Sequence, residues 1–125
     1  MMNATDTPVP SLPVFDYDDF MERMDGDMDL LKEVIEIFLE DAPNLVEALR
    51  LAVSNRNGEA MERAAHTLKG AAANISAKRL QQLSHIMQET IKKGDVAHME
   101  RLFTDMETHY EVLDRVLRSH LAPEK

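Results

Sequence analysis

His66 stands three residues before Lys69 and four before Gly70, in the run Ala64-Ala65-His66-Thr67-Leu68-Lys69-Gly70-Ala71-Ala72-Ala73. Free imidazole titrates near pH 6.5, so at neutral pH a histidine offers an unprotonated ring nitrogen that can act as a nucleophile. On a helix, side chains three and four positions apart share a face. Lys69 therefore sets an ammonium within reach of any dianionic group, such as phosphoryl, carried on His66. Gly70 in mid-helix costs about 1 kcal/mol against alanine, and it clears the following turn for a bulky partner.

The other chemistry-bearing residues assemble into less. The chain has no cysteine, which removes disulfides, thiolate zinc sites and a cysteine nucleophile together. His98, His109 and His120 recur every eleven residues. Three helical turns span about 16 Å, whereas zinc–nitrogen bonds are about 2 Å, so they cannot share a metal. His85 and Glu89 have i,i+4 spacing but supply only two ligands. All four histidines are expected to be solvated side chains. With only four glycines, the chain holds no glycine-rich phosphate loop, and hence no ATP-binding module.

Helices must position His66, because the apolar spacing is helical throughout and no alternating strand pattern of useful length occurs. Asp16 is placed to cap a short amphipathic turn with Phe20 and Met24. Behind Asp27, Leu31, Val34, Ile35, Phe38 and Leu39 form one stripe. Pro43, with Asp41 as a possible cap, predicts a kink or a restarted helix whose inward residues are Leu45, Leu49, Ala52 and Val53. Asn57 heads a segment with its core stripe through Met61, Ala64, Leu68, Ala71 and Ile75. That phase leaves Glu62, His66, Lys69, Gly70 and Ala73 facing outward. Ser76 is read as the cap of the next helix, with Leu80, Leu83, Met87 and Ile91 inside. Gly94-Asp95 ends that helix and caps the last one, which carries Met99, Leu102, Met106, Tyr110, Leu113 and Leu117 and is closed by Pro123. Long helices with short joints pack antiparallel, so the fold expected is all-α: an up-and-down four-helix bundle with a short extra N-terminal helix. The domain is read as 14–121, between a flexible, proline-bearing leader over 1–13 and a tail over 122–125. Nine methionines and few aromatics make its core aliphatic, with methionine as filler.

At 125 residues the chain holds one core. The net charge of −9 argues against a nucleic-acid partner, which needs a basic footprint. The charge is unevenly spread: residues 1–62 hold 15 acids and 4 bases, residues 63–94 hold 6 bases and Glu89 alone among acids, and residues 95–125 hold 7 acids and 4 bases. A basic island in an acidic protein suits contact with an anion or an acidic partner, and a solvated helix face equally. No apolar run approaches a membrane span and the start lacks a signal peptide's pattern, so a cytoplasmic protein is expected.

The stretch from Ala65 to Ala77, Ala-His-Thr-Leu-Lys-Gly-Ala-Ala-Ala-Asn-Ile-Ser-Ala, followed by Leu80, resembles the signature of histidine-containing phosphotransfer (HPt) domains of multistep phosphorelays, and the helical layout matches over about residues 15–120. The resemblance implies that His66 accepts a phosphoryl group, that Lys69 supports it, and that Gly70 with Ala73 gives a receiver domain room to dock, beside Glu62 and Arg63. It also places Gln88 where some relatives hydrogen-bond the active imidazole. The family often has glycine ten residues after the histidine, where this chain has Ser76. The function implied is a monomeric phosphocarrier between receiver aspartates of response regulators or hybrid histidine kinases. No cofactor is expected on this chain; magnesium would sit in the receiver, since transfer needs charge neutralisation beyond one histidine and one lysine. A non-catalytic four-helix adaptor is the alternative, and the lack of a nucleotide-binding element speaks against a self-phosphorylating kinase.

Overall fold

The computed structural model describes residues 9–122. Five α-helices follow one another: α1 (Tyr17–Arg23), α2 (Met28–Ser54), α3 (Gly58–Asn74), α4 (Lys78–Lys92) and α5 (Met99–Ser119). Helices α2 to α5 close a four-helix bundle, in which α3 packs on α2 and α4, and α5 packs on the same two from the other side. Helix α1 leans on α2 as the short extra helix.

The starts of three helices follow directly from side chains that accept an otherwise orphaned amide hydrogen bond. Asp16 accepts from the Asp19 amide, Asp27 from that of Leu30, and Asn57 from that of Ala60. Phe20, Leu31, Ile35, Leu49, Met61, Leu68, Leu80, Met87, Met99, Met106 and Leu113 are fully enclosed between the helices. Four of these eleven are methionine, so the unbranched thioether does fill the centre of the bundle.

Four local readings need correction. Of the two readings at Pro43, the restarted helix does not occur: α2 continues through Pro43 over 27 residues. A proline inside a helix costs about 3 kcal/mol or more. Here Leu39, Ala42, Val46 and Leu49 are buried on both sides of it, and docking both halves on one core outweighs the lost hydrogen bond. Helix α3 is turned slightly from the expected phase: Ala65 and Ala72 are fully buried, while Ala64 and Ala71 are half-buried. Ser76 caps nothing, because the N-cap of α4 is Ala77 and makes no side-chain cap bond. His120, finally, is not a solvated side chain. Its ring stacks on Tyr17 with centroids 5.0 Å apart and meets Phe15 edge-on at 5.2 Å, which pins the end of α5 to the approach to α1.

Residues 1–8 of the expected leader, and Pro123 with the rest of the tail beyond 122, lie outside the described residues. Val9–Ser11 form a 3-10 turn, and the carbonyls of Leu12 and Pro13 accept hydrogen bonds from the Arg79 side chain and amide, so residues 9–13 are held on α4.

Candidate functional site

Helix α3 presents His66 outward because Met61, Ala65, Leu68 and Ala72 take the core side of the same helix. The imidazole is exposed on a crest between two hollows. On one side lies a groove of about 600 Å³ between α2 and α3, with Val34, Ile37, Phe38 and Leu45 on the α2 bank, and Thr67, Gly70, Ala71 and Asn74 on the α3 bank. The smaller hollow on the other side is lined by Glu59, Glu62, Arg63, His66 and Gln88.

Gln88 reaches His66 from α4. Its Nε2 lies 3.3 Å from Nδ1 of the ring, and the glutamine is 6% exposed, so the contact joins a buried amide to an exposed imidazole. Gln88 Oε1 is buried without a partner. Among the described residues, Nε2 of His66 has no hydrogen-bond partner, so one ring nitrogen is engaged and the other is open.

Gly70 stands one turn after His66, in the floor of the groove. A Cβ added at Gly70 would meet nothing within 4 Å. The bundle's own packing therefore places no demand for glycine here, and the space it leaves is external. Lys69, half-buried, shares the turn with His66 but lines neither hollow. Of the remaining sequence-selected residues, Glu62 and Arg63 flank His66 on the α4 side. Ala73 stands apart: it does not line the groove, and its carbonyl accepts from Arg23 Nη1 at 2.7 Å, so a side chain from α1 lies over that turn.

The described residues contain no group of three or more histidine or acidic side chains able to hold a metal ion, and no helix long and apolar enough to cross a membrane. What the arrangement supplies is one accessible imidazole nitrogen, an ammonium one turn away on the same helix, and an open groove beside the ring.

A family model described as the Hpt domain matches residues 33–118. The chain belongs to the Hpt domain family. Hpt domains are histidine phosphotransfer proteins of two-component signalling; they act as carriers rather than kinases and work with receiver domains. The fold agrees: the crystal structure of histidine-containing phosphotransfer protein B (HptB) from Pseudomonas aeruginosa PAO1 superposes with a TM-score of 0.80 at 19% identity, covering 87% of this chain and 95% of that one. Comparison with curated proteins finds no match.

The Hpt frame makes the turn between α3 and α4 informative. Ser76, standing where the family often has glycine, has φ +57°, a left-handed conformation that glycine adopts without strain and serine does not. The strain is offset by contacts from α1. Ser76 Oγ donates to Asp19 Oδ2 at 2.6 Å and accepts from Arg23 Nη1 at 3.1 Å, and its carbonyl accepts from the Asp16 amide.

The sequence reading missed the α2 bank of the groove, including Ile37, Asp41 and Asn44. The signal was present as a second stripe along α2, hidden by reading Asp41-Ala-Pro43 as a fresh helix start.

Proposed function

We propose that this Hpt domain accepts a phosphoryl group on Nε2 of His66 from a receiver-domain aspartyl phosphate and passes it to the aspartate of another receiver. The observation that carries the reading is the ring's environment: Nδ1 held by Gln88, Nε2 open, and a cleared groove alongside.

The chemistry follows from the tautomer. In neutral imidazole one nitrogen carries the proton and the other the lone pair. A half-turn of the Gln88 amide brings the unpartnered Oε1 to the ring, where it accepts Nδ1–H and leaves the lone pair on Nε2. That pair attacks phosphorus as the bond to the aspartyl oxygen breaks, and the carboxylate departs with its electrons. The ring keeps Nδ1–H and becomes a cation carrying a phosphoryl dianion, beside the ammonium of Lys69. Transfer onward is the same step reversed, on a second receiver. Glu62 and Arg63 are the edge of the receiver contact on the α4 side. Magnesium belongs to the receiver's pocket, where it neutralises the phosphoryl oxygens. The domain works as a monomer, in the cytoplasm, without nucleic acid or membrane.

The test is incubation with a panel of phosphorylated receivers, followed by mapping of the label. A phosphoramidate on His66, acid-labile and alkali-stable and lost in His66→Gln, is expected. No label should appear with ATP and magnesium alone. Label retained in His66→Gln would overturn the assignment, while tight receiver binding without any labelling would make the protein an adaptor.

A further inference from the structure

The outward stripe of α2 beside the site runs Leu30, Val34, Ile37, Asp41, Leu45, Ala48, in steps of three and four that keep all six on one face. Five are apolar, and two of these are well exposed, Leu30 at 40% and Ile37 at 53%. The stripe borders the groove that holds His66, and through Leu45 and Ala48 it continues into a further hollow against Ala60 and Ala64 of α3. Its centre is the single charge, Asp41.

Asp41 is exposed and takes part in no ion pair among the described residues. The groove lining contains no lysine or arginine. Lys69 lines neither hollow, and Arg63, which borders the further hollow beside Leu45 and Ala48, makes no ion pair with Asp41, so among the described residues Asp41 is left without a cation. Any surface that covers the stripe dries the carboxylate, and a desolvated charge left without a partner is strongly unfavourable. An otherwise apolar face carrying one unpaired acid thus rejects neutral and acidic partners and admits one that brings a positive charge.

Resting on the phosphocarrier reading, we propose that Asp41 is a specificity-determining residue: it selects receivers in which a lysine or arginine is set among the apolar side chains that cover the α2–α3 groove. The continuity of the groove with His66 identifies the occupant, since whatever delivers a phosphoryl group to that ring must lie over it. Asp41 touches the partner and not the reacting atoms, so its effect falls on KM and leaves kcat at saturation nearly unchanged.

The experiment measures transfer from each phosphorylated receiver encoded alongside this chain to native protein, Asp41→Lys, and Glu36→Lys. Glu36 is an exposed acid on the opposite side of α2, outside the groove. Asp41→Lys is expected to raise KM about tenfold or more for the receivers that load native His66, with kcat within about threefold, and Glu36→Lys to change neither. Replacing the facing basic residue of such a receiver by glutamate should harm transfer to native protein and restore it to Asp41→Lys. Unchanged KM in Asp41→Lys, with native protein loading normally, overturns the role of Asp41 alone. Failure of every receiver to load native protein overturns the phosphocarrier reading, and this inference with it. A dimer by light scattering that Ile37→Glu dissolves would assign the groove to a second copy and also overturn the inference.

Discussion

Ser76 donates its hydroxyl proton to Asp19 over 2.6 Å, so the left-handed turn between α3 and α4 is fastened by a carboxylate of α1 lying 57 positions earlier in the chain. Lys78 Nζ stands 3.3 Å from the same carboxylate oxygen, and Arg23 bonds both Ser76 and the end of α3. A cation at a helix C-terminus also opposes the negative end of its dipole. The short helix α1 thereby fixes the last turn of the helix that carries His66.

Ser76 should separate backbone strain from side-chain bonding. Ser76→Ala keeps the left-handed backbone and loses the hydroxyl contacts, and a destabilisation of about 1–2 kcal/mol is expected. Ser76→Gly loses the same contacts but relieves the strain, and should be more stable than Ser76→Ala by about 1 kcal/mol. Urea unfolding of the two variants checks this, and equal midpoints would show that the turn stores no strain.

Acid should loosen this junction. The Ser76 hydroxyl chiefly, then Lys78 and Arg23, hold the Asp19 carboxyl below its ordinary pKa of 3.8 against the opposing effect of partial desolvation. A carboxyl whose folded pKa is lowered contributes stability that is fully present above the unfolded value and is lost as pH falls through the folded one. Asp19→Asn should therefore be less stable than native protein at neutral pH, with the difference shrinking below about pH 4. Denaturant melts at stepped pH measure it; a gap that stays constant into strong acid would remove Asp19 from the acid response.

Much of the bundle was legible because Asp16, Asp27 and Asn57 announce helix starts by a local mechanism, and the stripes behind them are long. The phase of α3 was less so. Its alanines fall at adjacent positions 64–65 and 71–73, so hydrophobicity alone does not decide which of each group turns inward. Asp41-Ala-Pro43 imitates a helix start, and only burial on both sides of Pro43 shows that α2 continues. His66, Lys69 and Gly70 were visible because their spacing lies within one helix. The Ser76 turn and the α2 bank depend on contacts between helices, to which local sequence gives no direct access.

Gly70 should be dispensable for folding and needed for docking. Because a Cβ there meets nothing, Gly70→Ala should stabilise the isolated domain by up to about 1 kcal/mol through helix propensity. Gly70→Leu should fold as well but transfer far more slowly, its side chain filling the groove floor beside the ring. Thermal unfolding set against transfer rate tests the pair; an unfolded Gly70→Leu would contradict the open space seen at this turn.

Lys69 should matter to rate and not to fold. Removal of a charge-assisted contact to a dianion is worth about 1.5 kcal/mol, roughly tenfold in transfer, so Lys69→Ala should load His66 about that much more slowly with an unchanged unfolding midpoint. Transfer at the native rate would remove the electrostatic role while leaving His66 as the acceptor.

Gln88 should govern which ring nitrogen is free. Imidazole alone distributes its proton between both nitrogens, whereas the Gln88 amide oxygen, once the proposed half-turn sets it against Nδ1 in place of Nε2, holds the proton there and leaves the lone pair on Nε2 of the ring. In Gln88→Leu that preference is lost and the reactive tautomer becomes less populated. The expected outcome is a shift of the His66 proton from Nδ1 toward Nε2, read from nitrogen chemical shifts, together with transfer slowed by a factor of about three to ten, as for the loss of one hydrogen bond. Gln88→Glu offers an oxygen acceptor of nearly the same size and should restore the Nδ1–H tautomer, which a purely packing role of Gln88 would not do. A His66 tautomer identical in native protein and Gln88→Leu would show that the 3.3 Å contact leaves the nucleophile unaffected.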